Sequence, residues 1–317
     1  MTSDLKTQKL QAVIDHAVRE VGGVLLGKEA QIRLAMCCLF ARGHLLLEDL
    51  PGMGKTTLSH ALASVLGLSW KRVQFTSDLL PADILGVSVY DPRESSFSFH
   101  PGPVFTQLLL ADEINRTTPR TQSALLEAMA EGQVTVEGET RALPDPFFVI
   151  ATQNPTHQSG TYPLPESQLD RFLMKIELGY PHPRAEREMF QRRSGSASVS
   201  DGLPSQCMDR AQLDTIRIAA GDVHASDNLL DYLQRLVAHS RQSPEFEVGL
   251  SPRGALALLD CAKTWAVMHN RGHVVPEDIQ TVLPAVAGHR LIPSSDYSGD
   301  GAALVDLLLR DVDVIAG

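Results

Sequence analysis

An α/β fold is expected: a parallel sheet covered by helices on both faces, followed by an all-helical second unit. Three observations predict it. Short, almost continuously apolar runs alternate with helical patterns through the first half of the chain. A glycine-rich turn joins the first of these runs to a helix, and beyond the proline-rich stretch 179–183 only helical patterns remain. The 317 residues suffice for two units with cores of their own, and the hinge divides them into 1–182 and 183–317.

The predicted strands lie at 44–48, 72–75, 107–112, 147–152 and 174–178. Ile32, Met36, Leu39 and Phe40 recur at helical spacing before the first strand, and a helix over 55–66 follows it. A further helix over 119–131 has Thr118 as its N-cap, Pro119 at its first position and Gly132 just past its end. Two insertions interrupt the pattern. Segment 77–103, rich in Pro, Ser, Asp and Gly, is too long for a simple connection and is either functional or mobile. Val134, Val136 and the turn Glu137-Gly138 predict a β-hairpin over about 134–141. In the second unit, helices are predicted at 185–193, 229–241, 252–268 and 276–286, with a Ser/Gly-rich loop over 194–204.

The turn Pro51-Gly52-Met53-Gly54-Lys55-Thr56-Thr57 carries the most chemistry. A glycine-rich turn between strand and helix gathers backbone N–H groups around one concave point, and the positive end of the helix dipole faces the same point. Both favour a polyphosphate, with Lys55 reaching the outer phosphates and the Thr56 hydroxyl holding Mg²⁺. Asp49 stands where the common pattern has its first glycine. Two strands later, Leu108-Leu109-Leu110-Ala111 ends in Asp112 and Glu113. Next to a phosphate loop, the first acid helps hold Mg²⁺ through water and the second polarises an attacking water. The strand ending at Gln153-Asn154-Pro155 supplies an uncharged amide, Asn154, suited to orienting that water. Arg171 precedes the last strand, where it could complete a neighbouring subunit's site. Ser251-Pro252-Arg253 opens a helix with an N-cap serine and an N1 proline. Arginine is unfavourable at that end of the dipole unless a partner anion offsets it.

Bulk properties exclude several alternatives. The net charge of -10 argues against a broad nucleic-acid-binding face. No apolar run approaches membrane-spanning length, and Met1-Thr2-Ser3-Asp4-Leu5-Lys6 lacks a signal-peptide core, so a cytoplasmic location is expected. Cys37, Cys38, Cys207 and Cys261 show no C-x-x-C spacing and read as reduced thiols. His269 and His273 have a spacing that suits a metal, but Asn270-Arg271-Gly272 between them reads as a helix end.

Together, LLLEDLPGMGKTTL, QFTSDLLPADILG, LLLADEINRTTPRTQSALLEAMAEGQVTVEG, FFVIATQNP and GTYPLPESQLDRF resemble the AAA+ ATPases, and more specifically the MoxR family, from about Gly23 to the chain end. The resemblance implies an αβα sandwich with a five-stranded parallel sheet of order 5-1-4-3-2 and a helical lid. It implies ATP and Mg²⁺ as ligands. Lys55 and Thr56 fall on Walker A, within a cradle of Pro51, Gly52, Met53, Gly54 and Thr57. Asp112 and Glu113 fall on Walker B, Asn154 on sensor 1, Arg171 on the arginine finger and Arg253 on sensor 2. Leu25, Leu26 and Gly27 match the segment lining the adenine pocket. The two insertions would face the ring axis or the client, and Arg116 and Arg120 lie near the implied subunit interface with their roles open. The resemblance further implies a hexameric remodelling factor or chaperone that works with a von Willebrand factor A domain partner and matures a client protein or metalloenzyme, sometimes by metal-cofactor insertion. The alternatives are a nucleotide-gated recruitment module with little turnover, a magnesium-chelatase-like motor subunit, and a nucleic-acid motor, which the acidic balance disfavours.

Overall fold

Alternation along the strands decides the layering. In the first strand, β1 (Leu45–Glu48), Leu45 and Leu47 enter one apolar cluster while Leu46 enters another on the opposite face. The same alternation separates Leu108 and Leu110 from Leu109 and Ala111 in β3 (Leu108–Asp112), reached after β2 (Trp70–Gln74). It also separates Phe148 and Ile150 from Val149 and Ala151 in β4 (Phe148–Gln153). With β5 (Met174–Ile176) these strands form one parallel sheet in the order β2-β3-β4-β1-β5, the expected 5-1-4-3-2 read from the other edge. The computed structural model describes residues 2–93, 95–154, 161–194 and 203–315. Pro155 and most of the Ser/Gly-rich loop, 195–202, lie outside the described residues.

Helices Glu29–Phe40 and Lys55–Val65 cover the first face, and helix Pro119–Glu131 covers the second. Both faces of the central strands are therefore buried, which is why they read as continuous apolar runs. Gly132 ends helix Pro119–Glu131 at φ 61°, as its position past the last apolar residue predicts, but Thr118 makes no side-chain capping bond.

A helix the sequence reading passed over, Thr2–Val24, packs against Glu29–Phe40, Lys55–Val65 and Pro252–Met268. Its buried Leu10, Ile14, Ala17, Val18 and Val21 follow helical spacing, so this signal was present in the sequence. Helices Arg210–Asp222 and Gly301–Asp311 were also not anticipated. The predicted lid helices are present as Pro183–Ser194, Asp227–Gln242, Pro252–Met268 and Pro276–Ala287. No helix among the described residues is long and apolar enough to cross a membrane.

The long insertion contains the short helix Pro81–Leu85 and an antiparallel hairpin pairing Gly86–Asp91 with Ser96–Pro101. The second hairpin pairs Gln133–Val136 with Glu139–Ala142 across Glu137 and Gly138, both at positive φ. That geometry matches the twist of the paired strands and explains how a Glu-Gly pair suffices. The hairpins meet where the Arg141 guanidinium lies 3.9 Å over the Phe99 ring. His269 closes helix Pro252–Met268 and Asn270 turns to φ 56°, so the His269–His273 stretch is a helix end. Cys37, Cys38 and Cys261 are buried free thiols.

At the entry of β1, the Val149 N–H donates to His44 Nδ1 (3.0 Å), so Nε2 carries the proton and donates to the Met129 carbonyl (3.1 Å). Protonation would set two N–H groups against each other. Burial lowers the His44 pKa from 6.5 to about 4, with the Met129 bond opposing and the Arg253 charge assisting. Between those values the unfolded chain takes up a proton that the folded chain refuses. His44 therefore contributes stability above pH 6.5 that is lost as pH falls toward 4. Its share of the slope is up to about 1.4 kcal/mol per pH unit. Urea unfolding between pH 7 and pH 5 is expected to show a shallower loss for His44→Gln than for the parent chain, and equal slopes would refute this role.

Candidate active site

Parallel strands deliver their C-terminal ends to one edge, and four predicted site elements meet there. β1 runs into the glycine turn, where Gly52 and Gly54 adopt φ 83° and 91°, conformations that side chains other than glycine disfavour. A Cβ on Gly54 would stand 2.7 Å from Leu25 Cδ1, so Leu25 buttresses the turn from outside. Helix Lys55–Val65 starts there with no side chain capping its free N–H groups. Pro51, Gly52 and Thr57 are exposed, Thr56 is half-buried, and Met53 packs toward the core.

Lys55 is buried, and its Nζ donates to the Asp49 carbonyl (2.6 Å) and approaches Asn154 Oδ1 (3.4 Å). Burial pulls its pKa below the ordinary lysine value, while Asp49, Asp112, Glu113 and Glu48 oppose that shift. The surrounding carboxylates keep a cation tolerable there.

The acids end β3 beside the amide that ends β4. Thr152 ties them together: its hydroxyl donates to Asp112 Oδ1 (2.6 Å) and accepts the Glu113 N–H (2.8 Å). Glu113 sits in the left-handed region at φ 57°, a strained conformation for a side chain of this kind. Its carboxylate accepts from Asn154 Nδ2 (3.0 Å) and Gln74 Nε2 (2.8 Å) and pairs with Arg116 Nε (3.0 Å). Arg72 pairs with Asp112 Oδ2 (2.7 Å), and Arg120 is exposed. The sequence reading missed Thr152, Gln74 and Arg72, because nothing local to them marks the partner across the strand.

Asp49 also gains an explanation. Its carboxylate accepts the Gly179 N–H (2.6 Å) just beyond β5, a bond that glycine at this place could not make. Lys28 donates to the Leu178 and Tyr180 carbonyls, both at 2.6 Å, and fastens the 25–28 turn to the same segment. Leu26 and Gly27 line a cavity of about 580 Å³ with Lys28 and Arg192, whereas Leu25 turns toward Gly54.

The structure does not bring Arg171 or Arg253 to this edge. Both line a cavity of about 210 Å³ with Arg42, His44, Asp170 and Arg290, at the entry of β1 and β5. Ser251 caps helix Pro252–Met268 through the Gly254 N–H (3.0 Å), which sets Arg253 on its first turn. Arg171 Nη1 donates to the Leu126 carbonyl (3.1 Å). The sensor 2 expectation for Arg253 thus cannot refer to its own phosphate loop in this arrangement, because the sheet lies between them.

The donor set fits a magnesium-bound nucleoside triphosphate. Open backbone at Gly52, a buried lysine and an uncapped helix start suit phosphate, and a hydroxyl and a carboxylate, Thr56 and Asp112, suit a hard cation. Thr152→Val would leave a buried carboxylate short of a donor and is expected to cost about 1.5–3 kcal/mol. A urea midpoint unchanged from the parent chain would rule out that contribution.

Comparison with known proteins agrees with the geometry. Residues 44–174 match the family model "ATPase family associated with various cellular activities (AAA)", and residues 238–307 match the AAA lid domain. Protein YeaC of Bacillus subtilis is 43% identical over 310 residues, covering 97% of this chain and 96% of the relative. Chaperone MoxR1 of Mycobacterium tuberculosis is 37% identical over 312 residues, covering 96% and 82% respectively. A crystal structure from Cytophaga hutchinsonii superimposes with a TM-score of 0.89 at 35% identity, covering 99% of this chain and 98% of that one. With this sheet order, this phosphate loop and these relatives along nearly its whole length, the chain belongs to the MoxR family of AAA+ ATPases.

Proposed function

We propose that the protein hydrolyses ATP as a ring-forming remodelling factor or chaperone, with each active site completed by the adjoining subunit. One observation carries this reading: the hydrolytic set lies at one edge of the sheet, and Arg171 and Arg253 lie at the other. A head-to-tail ring joins those edges. Core 1–182 and lid 183–317 are its two working parts.

In this reading Gly52, Gly54 and Lys55 hold the phosphates in the cradle of Pro51, Met53 and Thr57, with the base against Leu26 and Gly27. Thr56 and Asp112, the latter through water as the family resemblance implies, would hold Mg²⁺, which would neutralise charge on the phosphate oxygens. Glu113 polarises the attacking water and Asn154 orients it. Asn154 also bridges Lys55 and Glu113, so it can report phosphate occupancy to the general base. Arg171, with Arg253 beside it, stabilises charge on the neighbour's transferring phosphoryl group.

The finer biology rests on the family. A homo-hexamer, a von Willebrand factor A domain partner, and a client protein or metalloenzyme that is matured or loaded with a metal cofactor fit this reading, as does a cytoplasmic setting. The relative MoxR1 is itself a chaperone. The net charge of -10 speaks against a nucleic-acid track.

Turnover per subunit is expected to rise with protein concentration as rings assemble. Glu113→Gln should bind ATP but turn over slowly, and Arg171→Ala should lose on the order of 1,000-fold in turnover with its own ATP affinity kept. An assembled Arg171→Ala ring hydrolysing at the parent rate would sink the completed-by-neighbour reading. Slow turnover by the parent chain with nucleotide-dependent partner capture would favour a recruitment module instead.

A further inference from the structure

Beneath the two arginines of the far edge lies a third that is largely buried, lining their shared cavity with only a small part of its surface. Arg290 follows helix Pro276–Ala287 in the lid and is 9% exposed. Its Nε donates to Asp170 Oδ1 (2.7 Å), its Nη2 to the carbonyls of Phe172 (2.7 Å) and Asp170 (3.3 Å), and its Nη1 to the carbonyls of Leu173 (3.2 Å) and Val286. A guanidinium has five N–H bonds to give, and four of the six partners within reach lie in 170–173, the other two being the Val286 carbonyl and His289 Nε2 (2.9 Å). That stretch contains Arg171. The Arg290 stem also passes under the first turn of helix Pro252–Met268, since a Cβ on Gly254 would come within 3.1 Å of Arg290 Cδ. One buried side chain thus grips the segment bearing Arg171 and abuts the turn bearing Arg253.

Cohesion alone does not require this residue. Burying a guanidinium is costly, and apolar packing would join lid and core as well. What the planar fork adds is direction, because several bonds at fixed angles set the orientation of a short peptide segment. We propose that Arg290 is a positioning residue that locks 170–173 to the lid, so that Arg171 and Arg253 are presented together, and only while the lid is seated on its own core. Lid position in one subunit then governs hydrolysis in the next. This rests on the completed-by-neighbour reading and adds to it the device that sets the finger.

Two full-length variants approach the clamp from its two sides. Arg290→Lys keeps the charge but loses the fork, and Asp170→Asn keeps Arg290 but removes its carboxylate. Each is checked for cooperative unfolding and for binding of a fluorescent ATP analogue, then assayed alone and in equimolar mixtures. Alone, each is expected to lose turnover on the order of 100-fold, the effect of a misplaced group, with nucleotide affinity unchanged. Mixed with Glu113→Gln, which is inactive but keeps its arginines, each should regain turnover, because its own intact sites receive a well-placed finger. Mixed with Arg171→Ala, neither should recover, because both partners lack the same contribution.

Parent-like turnover by either folded variant overturns the proposal. So does failure to recover with Glu113→Gln when Arg171→Ala recovers with it, since the lesion then lies in the variant's own site. If Arg171→Ala and Glu113→Gln do not restore one another, the completed-by-neighbour reading falls and takes this inference with it. Should Arg290→Lys not fold, Asp170→Asn carries every arm of the test.

Discussion

Parallel strands leave a sheet at one edge and enter it at the other, and the chemistry of this protein follows from that constraint. β1, β3 and β4 lie side by side, so the glycine turn, the acid pair and Asn154 converge where these strands end. β1 and β5 are also neighbours, so what precedes them converges at the opposite edge. Arg171 precedes β5, and the lid helix bearing Arg253 docks beside His44 at the entry of β1. The separation of acids from arginines is therefore topological, and no side-chain rearrangement within one chain removes it.

Electrostatics at the acidic edge follows from the same convergence. Four carboxylates favour the charged form of Lys55 and offset part of the cost of burying it, which still dominates. Asn154 touches both Lys55 and Glu113, and Thr152 touches both Asp112 and Glu113. Neutral groups thus bridge the charged ones and fix their spacing without adding charge. Asp49 extends this network outward, since its carboxylate binds the Gly179 N–H where the chain leaves the core for the lid. The phosphate loop and the segment just beyond β5 are consequently joined by a hydrogen bond that a glycine-starting loop would lack.

Much of this was legible in the residues. Continuous apolar runs identified the buried parallel strands, and cap residues bounded helices Pro119–Glu131 and Pro252–Met268. The phosphate loop could be read because strand, glycines, lysine and hydroxyl are contiguous. Helix Thr2–Val24 was equally legible, since its buried Leu10, Ile14, Ala17, Val18 and Val21 recur at helical spacing. Arg171 and Arg253 drew notice by position, but their shared cavity lies between segments far apart in the chain.

Local order in the chain determined which strands and helices form, which loop suits phosphate and which acids accompany it, because periodicity, turn chemistry and motif spacing act between near neighbours. Tertiary packing alone decided that Arg253 stands apart from its own phosphate loop, that Asp49 holds Gly179, and that Arg290 grips Asp170 across 120 residues of sequence. Such contacts depend on how the lid docks on the sheet, a choice made by the whole buried surface and written in no single segment.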